Sequence, residues 1–238
     1  GPMAPIPLLA LHLPPSFQAD QPPRRAVAAT LLRQNAALLV ARHPASPVHR
    51  LLGEAWRPGD ARFADLVRAA LVLCADHELN VSAFAARVVA STGAHLHATV
   101  CAGLAALSGP RHGGATARAY ALVESARESA DIDRFIATRW QRGEDLPGFG
   151  HALYPDGDPR AATLLAMLRA SPVDADSLRT LEAVIAAAEA ASGRRPNVDF
   201  TLAAICLAHG LPATPALSMS AAGRLAGWLA HALEQQAQ

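Results

Sequence analysis

Four short segments of the chain combine residue types that an ordinary helix core or cap does not need together. They are Asp76-His77-Glu78-Leu79-Asn80 with Val81-Ser82, Gly109-Pro110-Arg111-His112-Gly113-Gly114-Ala115, Leu146-Pro147-Gly148-Phe149-Gly150-His151-Ala152-Leu153-Tyr154 followed by Gly157-Asp158-Pro159-Arg160, and Arg195-Pro196-Asn197-Val198-Asp199-Phe200. In three of them a histidine falls at a break between helix-forming stretches, beside glycine or polar residues. Glycine lets a backbone approach a ligand closely, and a helix N-terminus offers unbonded N–H groups to an anion.

The elements that must hold these segments read as helices. Hydrophobic residues make up 51% of the 238 but aromatics only 5%. Much of the apolar content is alanine and leucine, both strong helix formers. No period-2 alternation is long enough for a sheet, so the fold class is all-α. The punctuation predicts helices over 24–42, 48–56, 61–75, 82–91, 94–107, 114–128, 131–142, 159–170, 174–191, 199–209 and 215–236, with Asp60 capping the third. Residues 94–107 are nearly continuous in Ala, Val and Leu, which predicts a helix buried all round. A glycine- and proline-rich loop fills 143–160. Residues 3–23, with six prolines, read as an extended arm after a Gly1-Pro2 protease scar.

Composition excludes several classes of function. With 21 basic and 20 acidic residues there is no nucleic-acid footprint. Cys74, Cys101 and Cys206 suit neither a disulfide framework nor a zinc site, which points to a reduced cytoplasmic protein with no bound metal. No apolar run reaches the roughly 18 residues that cross a membrane.

Taken together, the segments resemble the citrate synthase family, whose signatures are a DHE-x-N-x-S segment, a GP-x-HGGA segment, a GFGH loop ending in DPR, and an NVD segment. The tail from Gly223 to Gln235 resembles the family's final helix, and the wording ADHELNVSAF and YPDGDPR resembles a bacterial branch that often carries a helix-turn-helix module. The resemblance implies a two-lobed helical fold, with 24–112 and 206–238 in a large lobe and 113–205 in a small one. It implies condensation of acetyl-CoA with oxaloacetate, the citrate-forming step of the tricarboxylic acid cycle, with the CoA thioester as substrate and no permanently bound cofactor. Asp199 would take the acyl α-proton, His112 would stabilise the enolate, and His151 would polarise the ketone and protonate the alkoxide. Arg160 and Arg224 would clamp carboxylates with help from His77, and the backbone of Leu146, Pro147, Gly148, Phe149 and Gly150 would cradle the adenine. These groups are expected to converge on one cleft. A homodimer is implied, with 94–107 as one interface candidate.

Each residue also has an ordinary reading. Asp199 suits an N-cap for 200–209, and Asp158-Pro159-Arg160 suits a helix start with proline first. Arg224 reads as a surface charge, and Trp228 as core or dimer contact. His95 and His97 have no partner in sequence, and His12, His43, His49, His209 and His231 suggest no role. The chain departs from the family pattern in three places. Ser220 stands where phenylalanine is usual, Pro155 stands where many members place a basic residue for CoA phosphates, and the sequence stops at Gln238 without the family's basic arginine segment. Rival functions are therefore a 2-methylcitrate or alkylcitrate synthase, a citryl-CoA lyase, and a non-catalytic subunit paired with a full-length relative.

Overall fold

The structure, a computed structural model, describes residues 24–43 and 47–238; the proline-rich arm expected over 3–23 lies outside them. The described residues form eleven helices. They are α1 (Arg24–Leu39), α2 (Val48–Trp56), α3 (Ala61–Ala75), α4 (Val81–Ser91), α5 (Leu96–Leu107), α6 (Gly114–Glu128), α7 (Ile132–Gln141), α8 (Pro159–Arg169), α9 (Ala175–Ser192), α10 (Val198–Ala208) and α11 (Thr214–Gln235). Among the described residues the one extended pairing is an isolated bridge between Phe149 and Pro196. None of these helices is long and apolar enough to cross a membrane.

The helix starts follow from side chains that satisfy the first backbone N–H groups. Asp60 accepts from Phe63 N, Asn80 from Ser82 N and Ala83 N, Asp131 from Arg134 N, and Asp174 from Ser177 N. Each cap of this kind contributes about 1 kcal/mol. At α8, Asp158 caps and Pro159 takes the first helical position, where its missing N–H costs nothing.

The chain divides into two compact units, one of residues up to Gly113 with Ser218–Gln238, the other of Gly114–Leu217. The second boundary lies after Leu217 instead of at 205/206. Cutting at 206 would sever α10, and Leu211 is tied back into the same unit by its N–H to Cys206 O and by Tyr120 Oη–H to its carbonyl.

In the first unit, Leu31 of α1, Ala83 and Ala86 of α4, Leu96, Val100 and Leu104 of α5, and Leu225, Trp228 and Leu229 of α11 share one core. Trp228 is fully buried. A Cβ added at Gly103 of α5 would lie 2.5 Å from its ring, so glycine is what lets α5 pass under the indole. Helix α5 is not buried all round: Ala98 and Ala105 are exposed, and Cys101 and Ala102 are half-buried. Small apolar residues give the same sequence signal inside or outside, so composition misled there. Beside it, Val81, Phe84 and Val88 of α4 recur at three- and four-residue spacing and are exposed.

In the second unit, α10 is the central shaft. Every residue from Phe200 to Ala208 is buried. Helices α6, α8 and α9 pack against it with Ala119 and Val123, Leu164 and Leu168, and Val184 and Ala188 among their buried residues. A helix apolar on all sides is stable only when enclosed in this way. Cys206 lies within it, and burial pushes its thiol up to about 12. Cys74 is also buried, Cys101 is half-buried, and the three form no disulfide.

The Gly103–Trp228 contact gives a stability test. Alanine is the better helix former by about 1 kcal/mol. Overpacking a filled core costs about 1–3 kcal/mol, which outweighs that gain when the neighbour is a locked indole. Gly103→Ala is therefore expected to lower the urea midpoint without changing the slope of the transition. A raised midpoint would show that the indole can move aside.

Candidate active site

The second unit builds its functional groups around the start of α10. Asn197 is the cap: its Oδ1 accepts from Asp199 N at 3.0 Å and Phe200 N at 3.3 Å. The same residue staples the glycine loop, donating from its backbone N–H to Gly148 O and from Nδ2 to Gly150 O, each at 2.8 Å. Gly150 N in turn donates to Arg195 O. Gly148 has φ +89°, and a Cβ there would meet Phe200 Cβ at 2.8 Å and Ala119 Cβ at 3.0 Å, so the loop can approach the helix start only as glycine. Leu146, Pro147, Gly148 and Phe149 are buried, with the Phe149 ring 4.9 Å from that of Phe200, and Gly150 is half-buried.

With Asn197 as cap, Asp199 has no capping duty, and its ordinary reading as an N-cap is displaced. It lies in the first turn of α10, and its Oδ1 accepts a 2.7 Å hydrogen bond from Thr116 Oγ1 of α6. Burial pushes the Asp199 carboxyl above the ordinary carboxylate range. The Thr116 hydrogen bond, Arg160 and His151 pull it back down, while Asp158 adds to the rise. A carboxylate made more basic in this way is a better proton acceptor.

Arg160 is buried. Its Nε donates to Asp158 Oδ1 at 2.9 Å and its Nη2 to Asp158 Oδ2 at 2.8 Å, with 8% and 0% of the two side chains exposed. Burial pushes the Asp158 carboxyl up. Hydrogen bonds and charge from Arg160, with the N–H groups of Arg160 and Val198, outweigh that and hold it below the ordinary range. This side-on pairing uses the Nε edge of the guanidinium. The terminal Nη1–Nη2 edge keeps the geometry of a carboxylate fork. Removing one partner of such a buried pair costs about 3–5 kcal/mol.

His151 follows the glycine loop, with Tyr154 5.1 Å away ring to ring. Its Nδ1 accepts the backbone N–H of Leu153 at 3.2 Å. That places the proton of the neutral ring on Nε2 and makes that nitrogen the donor end. Burial, then Arg160, lowers its pKa; Asp158 and Asp199 oppose them less strongly. The imidazole is therefore neutral at pH 7.

The first unit holds His112, Arg224 and His77. His112 Nε2 lies 2.9 Å from Ser82 Oγ, a fully buried hydroxyl. Trp228 Nε1 donates to the same oxygen at 3.0 Å. The single Ser82 proton can point to His112 or to Asn80 Oδ1, 2.8 Å away. Asn80 Oδ1 also accepts Ser82 N and Ala83 N. When the Ser82 proton points to His112 Nε2, the neutral ring keeps its own proton on Nδ1. Burial lowers the His112 pKa, and Arg224 adds to it. Arg224 lies on α11, buried, one turn beyond half-buried Ser220. His77 is half-buried in the turn before α4, and its backbone N–H donates to Asp76 Oδ1. The next residue, Glu78, has φ +53°, an unusual backbone for a residue with a Cβ.

Among the expected residues, the second unit brings together Asp199, Arg160, His151 and the 146–150 loop, and the first unit brings His112 within the field of Arg224. Sequence reasoning missed Ser82, Thr116 and Asp158 as working groups. Each lies within or beside one of the four segments, which was the available signal, but its partner is set by tertiary packing. Among the described residues no three His, Cys, Asp or Glu side chains are placed to hold a metal ion.

Comparison with known proteins agrees with the motifs. Residues 21–238 match the family model described as citrate synthase, C-terminal domain. The chain is 37% identical over 200 residues to the citrate synthase of Haloferax volcanii, covering 81% of this chain and 51% of that protein. It is 34% identical over 193 residues to a 2-methylcitrate synthase of Shewanella oneidensis, covering 79% and 50%. It thus spans about half the length of these curated relatives. The citrate synthase of Thermotoga maritima shares the fold, with a TM-score of 0.79 at 24% identity over 98% of this chain and 68% of that one. The chain belongs to the citrate synthase family.

Proposed function

We propose that the protein condenses an acyl-CoA with a 2-oxo acid, with acetyl-CoA and oxaloacetate as the leading pair. The observation that carries this reading is Asp199: a carboxylate relieved of capping by Asn197, oriented by Thr116 and made more basic by burial. Asp199 takes a proton from the α-carbon of the thioester. His112, neutral with its proton on Nδ1, donates to the thioester oxygen as negative charge develops there. The α-carbon attacks the ketone carbon, and His151 gives its Nε2 proton to the oxygen that becomes the alkoxide. Water then cleaves the thioester and releases CoA. The terminal edge of Arg160, with Arg224 and His77, holds the carboxylates, and the Leu146–Gly150 backbone receives the adenine.

A 2-methylcitrate-forming condensation is the second reading. The Shewanella oneidensis relative is nearly as similar as the citrate synthase relatives. Ser220, one turn from Arg224 on the same helix face, is smaller and more polar than the phenylalanine usual there. The exposed stripe of Val81, Phe84 and Val88, beside the uncharged helix α5, also supports a homodimer. Phe84→Glu is expected to give a monomer by analytical ultracentrifugation where the parent chain is a dimer. An unchanged sedimentation coefficient would move the interface elsewhere.

Two outcomes test the chemistry. Asp199→Asn is expected to lower thiol release from acyl-CoA by about 10² to 10⁴ or more with the helix content intact. Wild-type turnover in that variant would place the base elsewhere. The pH profile tests the raised Asp199 value. The base works only ionised, so activity is lost as pH falls through its folded pKa. The acid limb of kcat/KM is therefore expected above the ordinary Asp value of about 3.9. A limb at or below that value would contradict a base raised by burial.

A further inference from the structure

One buried carboxylate in the second unit has no role in the reaction just described, yet it touches both halves of that unit's machinery. Asp158 Oδ1 accepts Arg160 Nε and the Arg160 backbone N–H, at 2.9 and 3.0 Å. Its Oδ2 accepts Arg160 Nη2 at 2.8 Å and Val198 N at 3.0 Å. Four donors thus fill the four lone-pair positions of one carboxylate whose side chain is 0% exposed. Val198 is the first residue of α10, adjacent to Asp199, and Arg160 is the second residue of α8.

Capping α8 alone requires one of these bonds. The other three fix the rotation of the Arg160 guanidinium and anchor the first turn of the helix that presents Asp199. We propose that Asp158 is a positioning residue for the condensation, holding the carboxylate-clamping edge of Arg160 and the base-bearing turn of α10 in one fixed relation. The proposal rests on the condensing reading above. It gives the Asp-Pro-Arg segment a division of labour: the arginine meets the substrate, proline starts the helix, and aspartate aims the arginine and steadies the base.

Electrostatics add a second consequence. The groups acting on Asp199 are Thr116 from α6, Arg160 from α8, and Asp158 and His151 from the loop before it. Of these only Asp158 carries negative charge and adds to the rise that burial causes, so neutralising it leaves burial alone against the lowering by Thr116 and Arg160.

The test uses two variants that cut different arms. Asp158→Asn keeps a capping side chain but loses the charge and presents an amide where Arg160 needs an acceptor. It is expected to raise KM for the 2-oxo acid about ten- to a hundredfold, the loss typical of a charge-assisted hydrogen bond. KM for the acyl-CoA should stay near the parent value, and the acid limb of kcat/KM should move to lower pH. Val198→Pro removes the Val198 N–H while leaving Asp158 in place, at a helix position where proline is favoured, so it keeps the proposal testable if Asp158→Asn does not fold. It is expected to lower kcat several-fold while KM for the oxo acid holds. A folded Asp158→Asn with unchanged oxo-acid KM and an unmoved acid limb overturns the proposal, as does a Val198→Pro with parental kcat. A parent chain that releases no thiol with any acyl-CoA and 2-oxo-acid pair removes the condensing reading and this inference with it, whereas parental turnover with unaffected variants removes this inference alone.

Discussion

A helix buried along nearly its whole length must find acceptors for its first N–H groups, and that constraint organises the second unit. Its first residues, Val198 and Asp199, are half-buried and Phe200 is buried, and unpaired buried donors cost about 1–3 kcal/mol each. Two side chains meet the need: Asp158 takes Val198 N, and Asn197 takes Asp199 N and Phe200 N. Both acceptors are themselves attached to other segments. Asn197 grips the carbonyls of Gly148 and Gly150, and Asp158 grips Arg160. Satisfying one helix end therefore fixes the glycine loop, the histidine that follows it, the arginine and the first-turn carboxylate in a single arrangement.

The first unit solves a comparable problem with a hydroxyl. Ser82 is wholly buried, so its oxygen and proton both need partners. The indole of Trp228 can only donate, so the Ser82 proton has two recipients within reach, Asn80 Oδ1 and the ring of His112. A core tryptophan, a helix cap and a histidine thereby meet at one buried hydroxyl. In both units polar groups that packing must satisfy are the same groups that hold the candidate site residues in place.

Much of this was legible in the sequence, and what was not has identifiable causes. Asp60 and Asp158 with Pro159 announce helix starts through local chemistry, and the helices came out within a few residues of their observed bounds. The four segments named His112, His151, Asp199 and Arg160 because those side chains sit in unusual local company. Asp199 could equally have been a cap until Asn197 was seen to hold that position, since both residues cap well. The outer face of α5 was misjudged because alanine is compatible with either side of a helix. Thr116 and Asp199 are 83 residues apart, and Ser82 and Trp228 146 apart; no local rule pairs them.

The cysteines described with the fold have a consequence for redox behaviour. At a pKa of about 12, Cys206 carries about one thiolate in ten thousand molecules at pH 8. Cys101 is also pushed up by burial, and Cys74 is enclosed in the first unit's core. Oxidants and alkylating reagents act on thiolates they can reach, so Cys74 and Cys206 are shielded in the folded chain while half-buried Cys101 keeps partial access. Cys74 and Cys206 would become reactive as their respective units unfold. Their modification would then record how often each unit opens, and the cysteines would serve as built-in reporters of local stability.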